Sequence, residues 1–428
     1  MARDAQRAGR CVVAGGGPAG MMLGLLLARA GVDVTVLEKH ADFARDFRGD
    51  TIHPATMAVM DELGLLEEFL RIPHTRADAL TVRVDGRPRR FADFRGLRTP
   101  CSYVALMPQW DFLDFLARHA AVYPTFHLAR RTRVTDLLWD GERVVGVRAR
   151  GSDGDVDLAA DLVVAADGRH SVIRSRAGLP LRDRGVPFDV LWFRLPKRDG
   201  PGDATFTLAH VRDGSVVVTL DRVDYWQCGL VVRKESWEQL RADGLPAFRA
   251  HVARVAPILA PVVDTLTDWE QVRTLIVRVD RLTRWSRPGL LCIGDAAHAM
   301  SPAGGVGINY AVADAVATAN LLADRLREGR LRPRDLRRVQ RRRQWPVRLM
   351  QAIQTTQGAL IGHMLPGLGQ PATPPARPMS PANPPAPPAP LTQTVAGVGR
   401  RAMGRLIGLG FRPEHVRTPN VFAASGTP

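Results

Sequence analysis

A chain of 428 residues, 45% hydrophobic and 24% charged, is long enough to bury a large core and is sized for two domains and a tail. Its formal net charge of +16 invites a nucleic-acid partner, yet all but three of the 59 basic residues are arginine, the lysines being Lys39, Lys197 and Lys234. Arginine bias of that kind reflects composition rather than a groove, so no nucleic-acid partner is expected. The four cysteines, Cys11, Cys101, Cys228 and Cys292, show no CxxC or metal-ligand spacing, which predicts reduced packing residues, a cytoplasmic protein and no metal site.

Arg3, Arg7 and Arg10 precede an uncharged run from Cys11 to Ala28 that imitates a signal peptide. Gly15-Gly16-Gly17-Pro18 falls inside the run, and a continuous apolar helix tolerates such a stretch badly, so secretion is rejected. No other uninterrupted apolar run approaches the length needed to cross a bilayer.

In chain order, Val12-Val13-Ala14 reads as a strand, Gly15-x-Gly17-x-x-Gly20 as a turn, Met21 to Ala30 as a helix and Val32 to Leu37 as a second strand ending at Glu38. The first glycine permits the tight turn, the second a close backbone approach to a pyrophosphate, and the third close helix packing. Glu38, eighteen residues after Gly20, is placed to take ribose hydroxyls, so the segment predicts a dinucleotide site. Arg48 stands either as a second phosphate contact or as a plain surface arginine. Ala55 to Leu63 predicts a helix, Thr81 to Phe94 two strands about Asp85-Gly86, and Met107 to Ala121 a helix with Gln109 near its start.

Val134 to Leu138 and Arg143 to Arg150 flank a second turn at Asp140-Gly141. The apolar strand Leu162 to Ala166 ends in Asp167-Gly168, at the kind of position where open α/β sheets bind ligands. From Gly185 to Asp280 the pattern alternates: strands are expected at Val190 to Leu195, Ala204 to Val211, Ser215 to Leu220, Tyr225 to Val232 and Gln271 to Val279, with a helical region from Ser236 to Val255. This inserted antiparallel sheet predicts a lid. It offers Phe206, His210, Tyr225 and Gln227 toward a substrate, with the inward face undecided.

The densest signal is Gly289 to Asn320. Leu290 to Ile293 is continuously apolar, as in a strand covered on both faces, and ends in Gly294-Asp295. Gly304, Gly305 and Gly307 strip side chains from the following loop, and Ala311, Ala315, Ala319, Leu322 and Leu326 recur at helical spacing. The loop amides therefore sit at a helix start, which favours an anion. Arginine is dense from Leu331 to Arg348, and eleven of the 25 residues from Pro366 to Pro390 are proline, a semi-extended linker. Val395 to Phe411, with Arg400, Arg401 and Arg405, is expected to dock on the body, with peripheral membrane contact as its alternative.

Gly15 to Gly20 with Glu38, Asp167-Gly168, and the GDAAH segment with Pro302, Gly304-Gly305, Gly307 and Asn309 together resemble the FAD-dependent aromatic hydroxylases, the class A flavoprotein monooxygenases typified by para-hydroxybenzoate hydroxylase. The resemblance spans roughly residues 11 to 325. It implies an α/β, mixed α+β fold: a Rossmann-like FAD-binding domain (1–80, 100–180, 285–350), an inserted antiparallel substrate sheet (81–99, 181–284), a helical extension (351–365), the linker (366–394) and a C-terminal helical tail (395–428). It implies that Gly15, Gly17, Pro18, Ala19 and Gly20 meet the FAD pyrophosphate and Glu38 and Lys39 its adenosine. Arg48 and Gln109 match flavin contacts and Val134 an adenine contact; Gly294 and Asp295 reach the ribityl chain, and Pro302, Gly305, Gly307, Ile308 and Asn309 border the flavin. Asp167 and Gly168 would serve both FAD and NADPH or NADH. The implied reaction hydroxylates an aromatic or polyketide-like small molecule with O2 through a flavin hydroperoxide. His298 takes the structural position of GDAAH, and no catalytic base is assigned.

Three rivals stand beside that reading. A flavin halogenase or a membrane-associated FAD oxidoreductase keeps the cofactor; the Trp-x-Trp-x-Ile-Pro motif of tryptophan halogenases is missing from the sequence. A non-enzymatic basic protein binding nucleic acid or lipid would rest on Arg337 to Arg343 and the tail. Composition and motifs leave the oligomeric state open.

Overall fold

The computed structural model describes residues 9–44, 51–197, 207–222, 224–365 and 390–423. Its first sheet has the spatial order Ser286–Arg287, Leu290–Cys292, Leu162–Ala165, Arg10–Ala14, Asp33–Leu37 and Phe126–Ala129. All pairings are parallel except the short edge hairpin of the first two. Apart from Arg10 at the start of the first, the central strands are buried, as their apolar runs require when both faces are covered. Helices Pro18–Arg29 and Gly307–Arg327 pack together on one side. The meander Arg133–Asp140, Arg143–Gly151 and Gly154–Ala159 lies against strand Leu162–Ala165. Its third strand was not evident from the sequence pattern.

A second, seven-stranded sheet runs Arg273–Leu275, Phe188–Pro196, Tyr225–Arg233, Ser215–Asp221, Thr207–Arg212, Ala79–Val84, Arg87–Asp93. It is antiparallel apart from one parallel pairing, Thr207–Arg212 with Ala79–Val84, a correction to the purely antiparallel expectation. The parallel step follows from connectivity: the hairpin about Asp85 and Gly86, both at positive φ, arrives from a distant part of the chain instead of through a tight turn. One face of the sheet, with Leu191, Phe193 and Leu230, is covered by Phe248 and Val252 of helix Leu245–Val255. The other face, with Val190, Trp192 and Val231, meets Val277, Val279, Ile361 and Leu365.

Several boundaries differ from expectation. The strand expected from Gln271 to Val279 is reduced to Arg273–Leu275, because beyond it the Asp189 carboxylate takes Val277 N–H (2.9 Å) and Lys234 Nζ (3.0 Å) in place of ladder bonds. The region from Ser236 to Val255 is two helices, Trp237–Ala242 and Leu245–Val255, broken at Gly244, whose φ is +88°. No separate extension begins at 351: one helix runs Pro333–Met364 through Pro346. Most of the expected linker lies outside the described residues, and helix Pro390–Leu409 begins within its expected span.

That last helix docks on the body. Gly404 approaches the backbone of Asp93 and Gly408 approaches Leu97, Pro54 and Phe94, so the expected docking is observed in place of a free membrane-facing helix. Among the described residues one helix, Ala303–Arg327, is long and apolar enough to cross a membrane, but 78% of its apolar window is buried, as in a core helix. A Cβ at Gly404 would come 2.0 Å from Asp93 O. Gly404→Leu should therefore separate the C-terminal helix at a cost of about 1–3 kcal/mol. A lower thermal midpoint together with faster amide exchange in residues 397–409 is the expected result.

Candidate active site

The site is built by register. Ala14 is paired with Ala165, and Ala165 with Cys292, so three parallel neighbours end at one level. Adjacent strands lie about 4.8 Å apart, and the turns that follow them, at Gly15, at Asp167-Gly168 and at Gly294-Asp295, become neighbours. Arg169 Nη2 lies 3.5 Å from Asp295 Oδ2, which joins two motifs 126 positions apart in the chain. Arg174 reinforces the junction, donating to Ala296 O (3.3 Å) and Arg169 O (2.8 Å).

The first turn has the expected shape. Gly15 sits at φ +106° against Ala166 O, and a Cβ at Gly20 would stand 1.9 Å from Gly15 O. A Cβ at Gly17 would meet nothing within 4 Å among the described residues, so this backbone faces open space. Pro18 and Ala19 start the helix, and neither a side-chain cap nor an acidic residue occupies its first turn. Glu38 is 2% exposed; its Oε2 accepts from Gly16 N–H (2.9 Å) and its Oε1 from His40 N–H (3.0 Å). Thr132 N–H donates to Glu38 O, which brings Val134 toward the same end, while Lys39 is exposed beside it. Arg48 lies outside the described residues.

The glycine-rich loop forms the other end. Gly304 and Gly305 have φ of +80° and +64°, and helix Gly307–Arg327 begins with no side-chain cap. A Cβ at Gly307 would again meet nothing within 4 Å among the described residues. Thr51 Oγ1 and His53 Nε2 both donate to Gly305 O (2.8 and 3.0 Å), and Thr56 Oγ1 to Asn309 Oδ1 (3.1 Å). Strand Thr51–Ile52 pairs with Val104–Leu106, so Gln109, three residues on at a helix start, falls on this side. Gln354 bonds Ser301 N–H, Ser301 O and Ala303 O, fixing the segment around Pro302 from the long helix.

Behind the loop is a buried charge network. Asp314 Oδ2 accepts from Gly294 N–H (3.0 Å) and contacts His298 Nε2 (2.6 Å), while its Oδ1 accepts from Arg343 Nε (2.9 Å). Arg343 Nη1 also reaches Glu414 Oε1 (3.3 Å), and Arg342 binds the same carboxylate. Against the cost of burial, His298 and Arg343 hold the Asp314 carboxyl below the usual carboxylate range. His298 is thus buried behind the loop and held against Asp314.

Sequence reasoning missed Asp314, Arg343, Glu414, Thr51, His53, Thr56, Gln354 and the role of Arg174. Arg343 lies in a uniform arginine run that offers no distinguishing signal. On the sheet, Tyr225, Gln227 and Arg194 share the face turned toward the cofactor body, whereas His210, opposite Val217, lies on the face covered by helix Leu245–Val255, so its substrate candidacy is corrected. Gln227 Nε2 donates to Phe193 O (3.2 Å). Phe206 lies outside the described residues.

Two uncapped helix starts, each with an open glycine, flank three strand ends, and buried Asp167 Oδ1 has no partner among the described residues. An extended ligand with anionic groups fits such a frame. A family profile described as "FAD binding domain" matches residues 10–352. The chain is also 34% identical over 354 residues to 6-methylpretetramide 4-monooxygenase of Streptomyces rimosus, covering 82% of this chain and 84% of that protein.

The chain belongs to the FAD-binding monooxygenase family. It is an oxidoreductase that uses FAD. Its fold matches p-nitrophenol 4-monooxygenase PnpA from Pseudomonas putida DLL-E4 with a TM-score of 0.72 at 23% identity, over 94% of each chain. It also matches the myxobacterial FAD-dependent halogenase CndH at 0.70 and 24%, over 81% of each. That pair shows the fold alone.

Gly17→Val should abolish flavin retention while leaving the far-ultraviolet dichroism intact, because the new side chain enters open space. Gly20→Val should lose both, because its Cβ strikes Gly15 O. Flavin absorbance and dichroism of the two purified variants distinguish these outcomes. Burial lowers the His53 pKa from 6.5 to about 4. Between those values the unfolded chain binds a proton that the folded chain refuses, so stability falls as pH drops through that window. Urea midpoints at pH 7 and 4.5 should fall less in His53→Gln than in the parent.

Proposed function

We propose that this enzyme uses NAD(P)H and O2 to hydroxylate an aromatic or polyketide-like small molecule. The observation that carries the reading is the alignment of three strand ends between two uncapped helix starts, beneath a sheet whose inner face bears Trp192, Tyr225 and Gln227. The 34% identity to a named monooxygenase supports the reaction class. In this reading Gly15, Gly17, Pro18, Ala19 and Gly20 hold the pyrophosphate of FAD, and Glu38 and Lys39 its adenosine end. Asp295 and Gly294 meet the ribityl chain, and Pro302 with Gly305 to Asn309 borders the ring system. When bound, the flavin accepts electrons from the nicotinamide and activates O2 for transfer to the substrate.

The chain's own contribution is placement and charge. The amides of Gly307, Ile308 and Asn309, at an uncapped helix start, stabilise negative charge on an adjacent bound group. Thr51 and His53 fix that loop through Gly305 O, so its amides need little reorganisation. The sheet excludes water from the space above, which protects the oxygen-transfer step. His298, 1% exposed and bonded to Asp314, does not reach a substrate, so no side chain on the loop is assigned as a base.

The halogenase alternative shares the fold. Of the lysines it would draw on, Lys197 is bound to Asp221 (2.7 Å) and Lys234 to Asp189 (3.0 Å), and Lys39 lies at the Glu38 end. Yellow purified protein should consume NAD(P)H faster with an accepted phenol or polycyclic ketone, and product formed under labelled O2 should gain one labelled oxygen atom. Halide-dependent product without that label would overturn the assignment.

A further inference from the structure

Uncompensated positive charge gathers between a short sheet and the long helix. Strand Leu181–Asp183 pairs antiparallel with Asp280–Leu282, and the register sets Arg182 directly opposite Arg281. Residues so opposed send their side chains to the same face, with Cβ atoms about 4.5–5.5 Å apart. Arg184 N–H donates to Val279 O (2.8 Å), which extends the ladder and puts Arg184 on that face by alternation. Helix Pro333–Met364 supplies a fourth arginine: its Gln351 Oε1 accepts from Arg281 Nη1 (3.2 Å), and Arg348 stands one turn earlier on the same side.

Like charges placed opposite one another destabilise a sheet unless something compensates them. Among the described residues none of these four arginines has a carboxylate partner; the acceptors beside them are neutral, Gln351 for Arg281 and the Gln344 side-chain amide for Arg348. The acids of the two strands, Asp183 and Asp280, alternate onto the other face. There Asp183 Oδ1 accepts from Gly185 N–H (2.8 Å) and Asp280 Oδ1 from Ala299 N–H (3.3 Å), with Arg174 3.8 Å away. Arg281 is 8% exposed, and burial, followed by the charges of Arg184, Arg348 and Arg182, lowers its pKa. Arg182, Arg184 and Arg348 are exposed around it.

A buried guanidinium ringed by three exposed ones is short of an anion. Guanidinium donors match phosphate oxygens in pairs, and several converging charges favour a dianion. We propose that Arg182, Arg184, Arg281 and Arg348 form a binding site for a phosphate dianion. Two bearers offer that chemistry, the 2′-phosphate of NADPH and inorganic phosphate. The site stands without the monooxygenase reading, whereas its use by NADPH rests on that reading.

The test compares thermal midpoints of FAD-loaded protein in millimolar sodium phosphate and in sodium chloride of equal ionic strength. An anion held only by the folded chain raises the midpoint, so phosphate should raise the parent's above that in chloride. Arg182→Glu sets a carboxylate opposite Arg281, so it should raise the midpoint in chloride and abolish the response to phosphate. Arg348→Gln should weaken phosphate binding, read by calorimetry, about tenfold or more, with flavin content unchanged. A parent indifferent to phosphate, an Arg182→Glu midpoint in chloride below the parent's, or a phosphate response as large in that variant as in the parent would each overturn the proposal. Steady-state oxidation then identifies the bearer. A lower KM for NADPH than for NADH that disappears in Arg182→Glu assigns the 2′-phosphate, and any other pattern assigns inorganic phosphate. Protein that oxidised neither nucleotide would sink the monooxygenase reading and leave the phosphate response standing.

Discussion

The pairing of three parallel strands is the constraint on which everything else depends. Because Ala14, Ala165 and Cys292 lie at one level, each strand delivers its following turn to the same edge of the sheet. A slip of one residue in either pairing would exchange the side chains facing the two covered layers and carry the following turns out of level with one another. The ion pair between Arg169 and Asp295 follows from that register.

The loop that completes the site is held differently. Its glycines permit close approach but supply no stability, and the backbone is fixed from outside by Thr51, His53 and Gln354. Behind it, Asp314 gathers an amide, a histidine and an arginine into a region without solvent. Breaking such a buried pair by removing one partner typically costs about 3–5 kcal/mol, because the other charge stays behind uncompensated. The network also extends through Arg343 to Glu414, so the C-terminal segment is joined to the loop by direct contacts.

The second sheet divides its work by face. Leu191, Phe193 and Leu230 secure it to helix Leu245–Val255, which leaves the opposite face available to the cofactor body. The end of the long helix closes part of that inner face through Ile361 and Leu365, and Gly358 and Gly362 allow the helix to approach Val186, Pro187 and Phe188. Tyr225, Gln227 and Arg194 are presented inward by the same alternation that turns His210 away.

Much of this was legible in the residues alone, for local reasons. Gly15, Gly17 and Gly20 have separate steric duties at fixed spacing, Glu38 ends the second strand, and Asp167 and Gly294-Asp295 end apolar runs whose composition marks them as buried. Backbone sterics and period-two or helical repetition act over a few residues, so the sequence by itself determined most of the strands, the glycine turns and the dinucleotide character of the cofactor. The tertiary structure decided what depends on distant partners: the parallel joining of Ala79–Val84 to Thr207–Arg212, the inward face of the sheet, and the choice of Arg343 from a run of arginines to meet Asp314. Those outcomes are set by contacts between segments tens to hundreds of positions apart, and a residue's own type carries no record of which distant neighbour it will meet.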